Sequence, residues 1–184
     1  YEKNINSEKN FQTLENDLNK IIKKIKNLSK NKKYDCLLPI SGGMDSSYVA
    51  YLLVKRFNLR PLLYHVDAGW NSNIAQNNIE KIIDKLNLDL ITDVIDWDEL
   101  KDLHLAYFKS GVPSLETIQD HAFFGSIYNY AEKNNFKWIV TGANYSTEFI
   151  RAPLEWSYHA SDTRQIKDIH KKFGNLELKN FPFY

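Results

Sequence analysis

Cysteine is almost absent from this chain. Cys36 is the single one among 184 residues, so no disulfide can close within it, and neither a cysteine-based zinc site nor a catalytic cysteine pair can be assembled. Long apolar runs are missing too. Nothing approaches the roughly 20 residues of a membrane-spanning helix, and no secretory leader opens the sequence. Nor is there an excess of one charge: 24 Lys and Arg face 23 Asp and Glu, for a formal net charge of +1. That balance gives no global attraction to nucleic acid or to a membrane surface. The lone thiol fits a reducing cytoplasm, which is the expected location. An initiating methionine is also lacking: the chain runs from Tyr1 to an aromatic stop, Phe181-Pro182-Phe183-Tyr184, and reads as part of a longer protein.

What is present is an ordinary globular composition, 43% apolar and 26% charged, enough for one domain with a sizeable core. Phe11, Leu14, Leu18, Ile21, Ile22, Ile25 and Leu28 recur at spacings of three and four, the stripe of an amphipathic helix over 8–30 with Ser7 as its N-cap. Lys20, Lys23, Lys24 and Lys26 occupy the other face and continue into Lys30, Lys32 and Lys33. They read as a solvated face, or as a dock for an acidic or phosphorylated partner. Residues 1–33 are thus an N-terminal helix with a basic linker, and 34–184 the main domain.

From residue 34 strands and helices alternate. Strands are expected at Tyr34–Ile40, Pro61–Val66, Leu88–Ile95 and Lys137–Thr141, with helices over 44–57, 73–86, 97–109, 117–134 and 162–172. Alternation of this kind implies an α/β fold, a parallel sheet with helices on both faces. Such sheets bind ligands beyond the carboxyl ends of their strands, so the residues that follow strands carry most information.

The most informative stretch follows the first strand: Ser41-Gly42-Gly43-Met44-Asp45-Ser46. Adjacent glycines permit positive φ and close approach of backbone N–H groups to a ligand. Unpaired N–H groups at a helix start, with the helix dipole behind them, favour a phosphate-like anion. Ser41 and Ser46 add hydroxyl donors. Asp45, out of place beside an anion, makes sense if it reaches a magnesium ion that phosphates share. The competing reading is a tight turn with Ser and Asp as helix caps. No lysine follows the glycines, so this is not the common GxxxxGK[ST] loop, and it is not GxGxxG.

SGGxDS after an apolar strand resembles the PP-motif of the N-type ATP pyrophosphatases, which include GMP, NAD, asparagine and argininosuccinate synthetases. The resemblance implies a doubly wound, three-layer α/β/α fold of the adenine nucleotide alpha hydrolase-like type. It also implies ATP with Mg²⁺ as cofactors and cleavage between the α- and β-phosphates. On that basis Ser41, Gly42, Gly43, Asp45 and Ser46 hold the pyrophosphate, and Asp45 and Ser46 serve catalysis, with Asp45 on the metal. Val66, through its backbone, and Asp67 meet the adenosine, with orientation of the metal as another role for Asp67; its plainer reading is a turn residue before a glycine. His65, on a strand, reads as a packed histidine. Gly142 lets backbone approach the nucleotide where strands one and four adjoin.

The stretches LLPISGGMDSSYVAYLL, LLYHVDAGWNSNIAQNNIEKI, GVPSLETIQDHAFF and WIVTGANYSTE are together similar to one branch, the N-acetyl sugar amidotransferases of lipopolysaccharide and flagellin-glycan biosynthesis (WbpG/PseA type). The branch implies adenylylation of an acetamido group on a nucleotide-linked or sialic-acid-like sugar, then attack by ammonia to give an acetamidino sugar. The ammonia comes from a separate glutaminase partner. Substrate contacts are expected from Trp70, Gln119, Asn144, Thr147, Glu148 and Arg151, with Arg164 as a further candidate. Asp120 and His121 are the candidates for handling the proton that ammonia sheds. Each has a plainer reading as a surface or packed residue. Members of the branch are about twice as long and carry N-terminal metal-binding cysteines that this sequence lacks. The alternatives are another N-type ATP pyrophosphatase, such as a tRNA thiolase or a small-molecule amidotransferase, and a non-catalytic nucleotide-binding module. A homo-oligomer is compatible with any of them; a membrane partner is not expected, and nucleic acid is disfavoured.

Overall fold

A computed structural model describes residues 8–143 and 160–184. In chain order the elements are α1 (Glu8–Leu28), β1 (Cys36–Pro39), α2 (Met44–Tyr51) with a π-helical extension (Leu52–Arg56), β2 (Pro61–Asp67), α3 (Asn73–Leu86), β3 (Leu90–Val94), α4 (Trp97–Ser110), α5 (Thr117–Lys133) and α6 (Thr163–Phe173). No described helix is long and apolar enough to cross a membrane.

The strands form a parallel sheet, β1-β2-β3, with Leu37 beside Leu62 and Leu63 beside Leu90. Successive side chains of a strand point to opposite faces, and β1 and β2 are apolar on both. Leu37, Leu62, Tyr64 and Val66 join a core cluster with α4, α5 and α6. Cys36, Leu38, Ile40 and Leu63 join a second with α1, α2 and α3, where Ile22 and Ile25 of α1 are buried. Three layers, α/β/α, follow. The fold class expected from sequence is the one found.

The expected fourth strand is reduced to a single parallel bridge, Leu37 to Ile139. Leu37 N–H donates to the Trp138 carbonyl (3.0 Å) and its own carbonyl accepts from Val140 N–H (2.9 Å). The next rung would need an N–H from residue 39. Pro39 has none, so the ladder stops. The 138–140 segment still lies beside β1 on the side away from β2, which puts the switch in strand order beside β1. A second departure is the π-helical extension, where Phe57 N–H reaches back to the Leu52 carbonyl (3.0 Å) in place of a continuous α-helix over 44–57.

Buried carboxylates fix the periphery. Asp35 accepts from Ser29 Oγ (2.5 Å), Arg60 N–H (2.7 Å) and the Arg60 guanidinium (2.7 Å), tying the end of α1 to the starts of β1 and β2. Glu99 accepts from the N–H groups of Lys179, Asn180 and Phe181. Asp102 accepts from those of Asn175 and Leu176 and from His170 Nε2 (2.9 Å). The last ten residues are thereby held against α4, and Pro182 lies so close to Gly125 that a Cβ there would sit 1.7 Å from the proline carbonyl oxygen.

Candidate functional site

The loop between β1 and α2 turns on Gly42, whose φ is +75°. A Cβ at Gly42 would lie 2.3 Å from the Ala75 carbonyl oxygen in the first turn of α3, so both conformation and space exclude a side chain. Asn78 of α3 donates its amide to the Gly42 carbonyl (2.9 Å). Gly43 differs: it is the extended N-cap of α2 (φ −76°, ψ 169°), and no side chain caps the helix. The first N–H groups of α2 have no intrahelical acceptor and no side-chain cap, which leaves them available to an anion.

The hydroxyls of the loop converge. Ser46 is buried, and its Oγ lies 3.3 Å from Ser41 N–H and 3.2 Å from Ser41 Oγ. Gly43 N–H in turn donates to Ser41 Oγ (3.3 Å), and Ser47 Oγ to the Gly43 carbonyl (2.5 Å). These bonds are long apart from the last, and the hydroxyls of Ser41 and Ser46 can exchange them for an anion. Gly142 backs directly onto this turn: a Cβ there would meet Ser46 N at 2.8 Å. A side chain at 142 would strike the start of α2.

The loop forms one wall of a cavity of about 360 Å³. Ser41, Gly43, Asp45, Ser46 and Gly142 make its polar end. Ile40, Val66, Phe123 and Ile127 make its apolar side, with Phe123 and Ile127 one turn apart on α5. His65 and Asn71 also line it, with Pro39, Met44 and Tyr64. His65 Nδ1 lies 2.9 Å from the Ile40 carbonyl, and its Nε2 is 3.0 Å from the Asn71 amide nitrogen. With Asn71 donating, the ring is the Nδ1–H tautomer, and both its nitrogens are committed to fixing the end of β2 against β1. His65 is the packed histidine expected.

Asp45, exposed in the first turn of α2, carries the one carboxylate among the residues lining the cavity. No group of three or more metal-ligating side chains occurs among the described residues. Such a donor set suits Mg²⁺, which takes one or two carboxylates and completes its shell with phosphate oxygens and water.

Other sequence candidates lie elsewhere. Asp67 Oδ1 accepts from Gly69 N–H (2.8 Å), a local turn outside the cavity lining. Trp70 is 62% exposed and packs edge-on against Trp97 at 5.2 Å, away from the cavity. Gln119 does not line the cavity either. Asp120 shares a helix face with Phe123 and Ile127, one turn nearer the N-terminus of α5. It is exposed and does not line the cavity; partial desolvation and then Glu116 push its carboxyl above the usual range.

His121 points the other way. It is fully buried beneath Phe181, Phe183 and Tyr184, its Nδ1 2.7 Å from the Ala160 carbonyl. Burial lowers its pKa, and it does not line the cavity. In this structure His121 packs within that aromatic cluster and stands apart from the cavity lining. Arg164 is almost wholly exposed at the start of α6, 3.7 Å from Asp162. Asn144, Thr147, Glu148 and Arg151 fall outside the described residues. Sequence reading missed Asn71, Asn78, Phe123 and Ile127; a small residue at 75 opposite the glycines was the available sign that α3 closes on the loop.

The architecture is matched by an ammonia-dependent NAD synthetase from Campylobacter jejuni, solved with a nitrate ion. The superposition has a TM-score of 0.52 and 18% sequence identity, and covers 84% of this chain and 70% of that one. The chain has the fold of that synthetase. It is the adenine nucleotide alpha hydrolase-like fold, with the SGGMDS loop at the β1–α2 turn. No family model matches the sequence. An uncharacterised protein from Methanocaldococcus jannaschii, MJ1599, is 30% identical over 91 residues, half of this chain. The match spans 32% of that relative's length.

Proposed function

We propose that this chain is the ATP-activating part of an amidotransferase that releases AMP and pyrophosphate. The observation that carries the reading is the conjunction at the β1–α2 turn: uncapped helix N–H groups, two convergent serine hydroxyls and one carboxylate, all at the polar end of a cavity with an apolar side. The triphosphate would lie on the turn, held by the α2 amides and by Ser41 and Ser46. Adenosine would extend along Ile40, Val66 and Phe123. Asp45 would hold Mg²⁺, which supplies charge neutralisation on the phosphates.

By resemblance of sequence, the acceptor is an acetamido group on a nucleotide-linked or sialic-acid-like sugar for lipopolysaccharide or flagellin glycan. Its carbonyl oxygen would attack the α-phosphorus as the α–β bridging bond breaks and pyrophosphate departs. Ammonia would then add to the activated carbon, lose its proton and displace AMP, leaving an acetamidino group. Preorganised amides at the turn stabilise the charge that accumulates on the leaving pyrophosphate. Asp120, on the α5 face that also carries Phe123 and Ile127, is the candidate to accept the ammonia proton. Cys36 cannot release ammonia from glutamine: it is fully buried in β1 and its thiol is pushed up to about 12. By the same resemblance of sequence, a separate glutaminase is the partner proposed.

The fold likeness to an ammonia-dependent NAD synthetase favours one second reading, a small-molecule amidotransferase with a different acceptor. The two separate in a pyrophosphate-release screen with ATP, Mg²⁺ and ammonia. Release that depends on acetamido sugars supports the first reading; release that depends only on carboxylate acceptors supports the second.

A further inference from the structure

The Gly43–Met44 step borders a second depression, about 540 Å³, between α2 with its π-helical extension and α3. Its other walls share nothing with the cavity at the strand ends. Lys55, Lys81 and Lys85 line it, together with Tyr51, Ser47 and Asn78, and no carboxylate does. Lys81 and Lys85 stand one turn apart on α3, where like charges repel. Lys55 comes from the π-helical segment, a distortion of the kind that often marks functional positions. All three lysines are exposed, and none forms an ion pair or hydrogen bond among the described residues. Glu80 and Asp84 of α3 do not line the depression.

Three uncompensated ammonium groups facing one concavity lower their mutual repulsion by drawing in a multivalent anion. The position selects which one. The depression meets the glycine turn at Gly42, Gly43 and Met44, and Gly43 and Met44 also line the cavity at the strand ends, so the two concavities adjoin at the turn.

We propose that this depression is a polyphosphate-anion site that takes over inorganic pyrophosphate as it leaves the Gly42–Gly43 turn. The pyrophosphate hand-over rests on the ATP reading above; the anion site itself does not.

The test is isothermal titration of the full chain with inorganic tripolyphosphate, inorganic pyrophosphate and, separately, ATP. The variants are K81Q/K85Q, K55Q and the charge-preserving K81R/K85R. With two exposed cations removed, tripolyphosphate affinity is expected to fall about tenfold in K81Q/K85Q. It should stay within about twofold of the parent in K81R/K85R, and ATP affinity should change by no more than about twofold in any variant. In turnover, pyrophosphate should become a weaker product inhibitor of K81Q/K85Q. Unchanged tripolyphosphate affinity in K81Q/K85Q overturns the site, even if ATP is turned over normally. Parallel loss of ATP affinity also overturns it, because the lysines would then belong to the nucleotide site. So does a glutamate-rich peptide that binds more tightly than tripolyphosphate. If ATP does not bind but lysine-dependent tripolyphosphate binding persists, the ATP reading fails and the anion site stands.

Discussion

Substituting alanine for each glycine of the turn should destabilise the fold at one position and leave it unchanged at the other. Gly42 sits at φ +75°, and a Cβ there would lie 2.3 Å from the Ala75 carbonyl oxygen and 2.8 Å from its carbon. Both obstacles are backbone, so no side-chain rotation relieves them. Alanine in the left-handed region costs about 1–2 kcal/mol, and displacing the first turn of α3 adds about 1–3 kcal/mol of the kind seen on overpacking. Gly43 sits at φ −76°, and a Cβ there meets only the Ser41 hydroxyl at 3.3 Å. In thermal unfolding, Gly42→Ala should therefore lower Tm by roughly 5–15 °C for a domain of this size. Gly43→Ala should stay within about 2 °C of the parent. Urea titration should place the two variants in the same order. Equal midpoints for both variants would refute the claim that α3 closes against the turn at Gly42.

Further outcomes follow from the same geometry. Gly142→Ala places a methyl 2.8 Å from Ser46 N and should weaken ATP binding about tenfold by displacing the start of α2, as calorimetry would show. In Asp102, burial opposes ionisation, but the N–H groups of Leu176 and Asn175, the Asn175 amide and His170 outweigh it and hold the carboxyl well below the usual range. That stability is fully present above the unfolded carboxylate value of about 4 and is lost as pH falls toward the folded one. Asp102→Asn should cost about 1.5–3 kcal/mol at pH 7 in urea unfolding and show a shallower loss of stability in acid. His121→Asn keeps a donor for the Ala160 carbonyl but loses the aromatic stack. It should cost about 1–2 kcal/mol in denaturant titration while leaving the pH profile of turnover unchanged.

The parts of the fold that rest on local chemistry were readable from sequence. The apolar runs of β1 and β2 announced a sheet covered on both faces. Ser72, whose hydroxyl accepts from Ala75 N–H (3.2 Å), and Asn87 at φ +51° cap α3 where its periodicity begins and ends. The glycine turn carried its own meaning, because so few structures need that pattern after a buried strand. Features that depend on a distant partner were not readable. Pro39 stops the ladder to Ile139 only because its nitrogen faces that side of β1, a matter of register. Glu99 and Asp102 look like solvent-facing residues of an amphipathic helix, yet both are buried by the C-terminal segment they bind. His121 on sequence could serve as acid, base or packing residue; its partners, Phe181 to Tyr184, lie sixty residues further on. Asn71 gained its place through His65, and nothing near it in sequence signals that pairing.

The most direct test of the ATP-activating role is quantification of nucleotide products with ATP, Mg²⁺, ammonia and an acetamido sugar, in the parent and in Asp45→Ala. AMP and pyrophosphate should appear in equal amounts with the parent. Asp45→Ala should release neither, with its melting temperature unchanged because the side chain is exposed. ADP and phosphate as products, or full activity in Asp45→Ala, would contradict it.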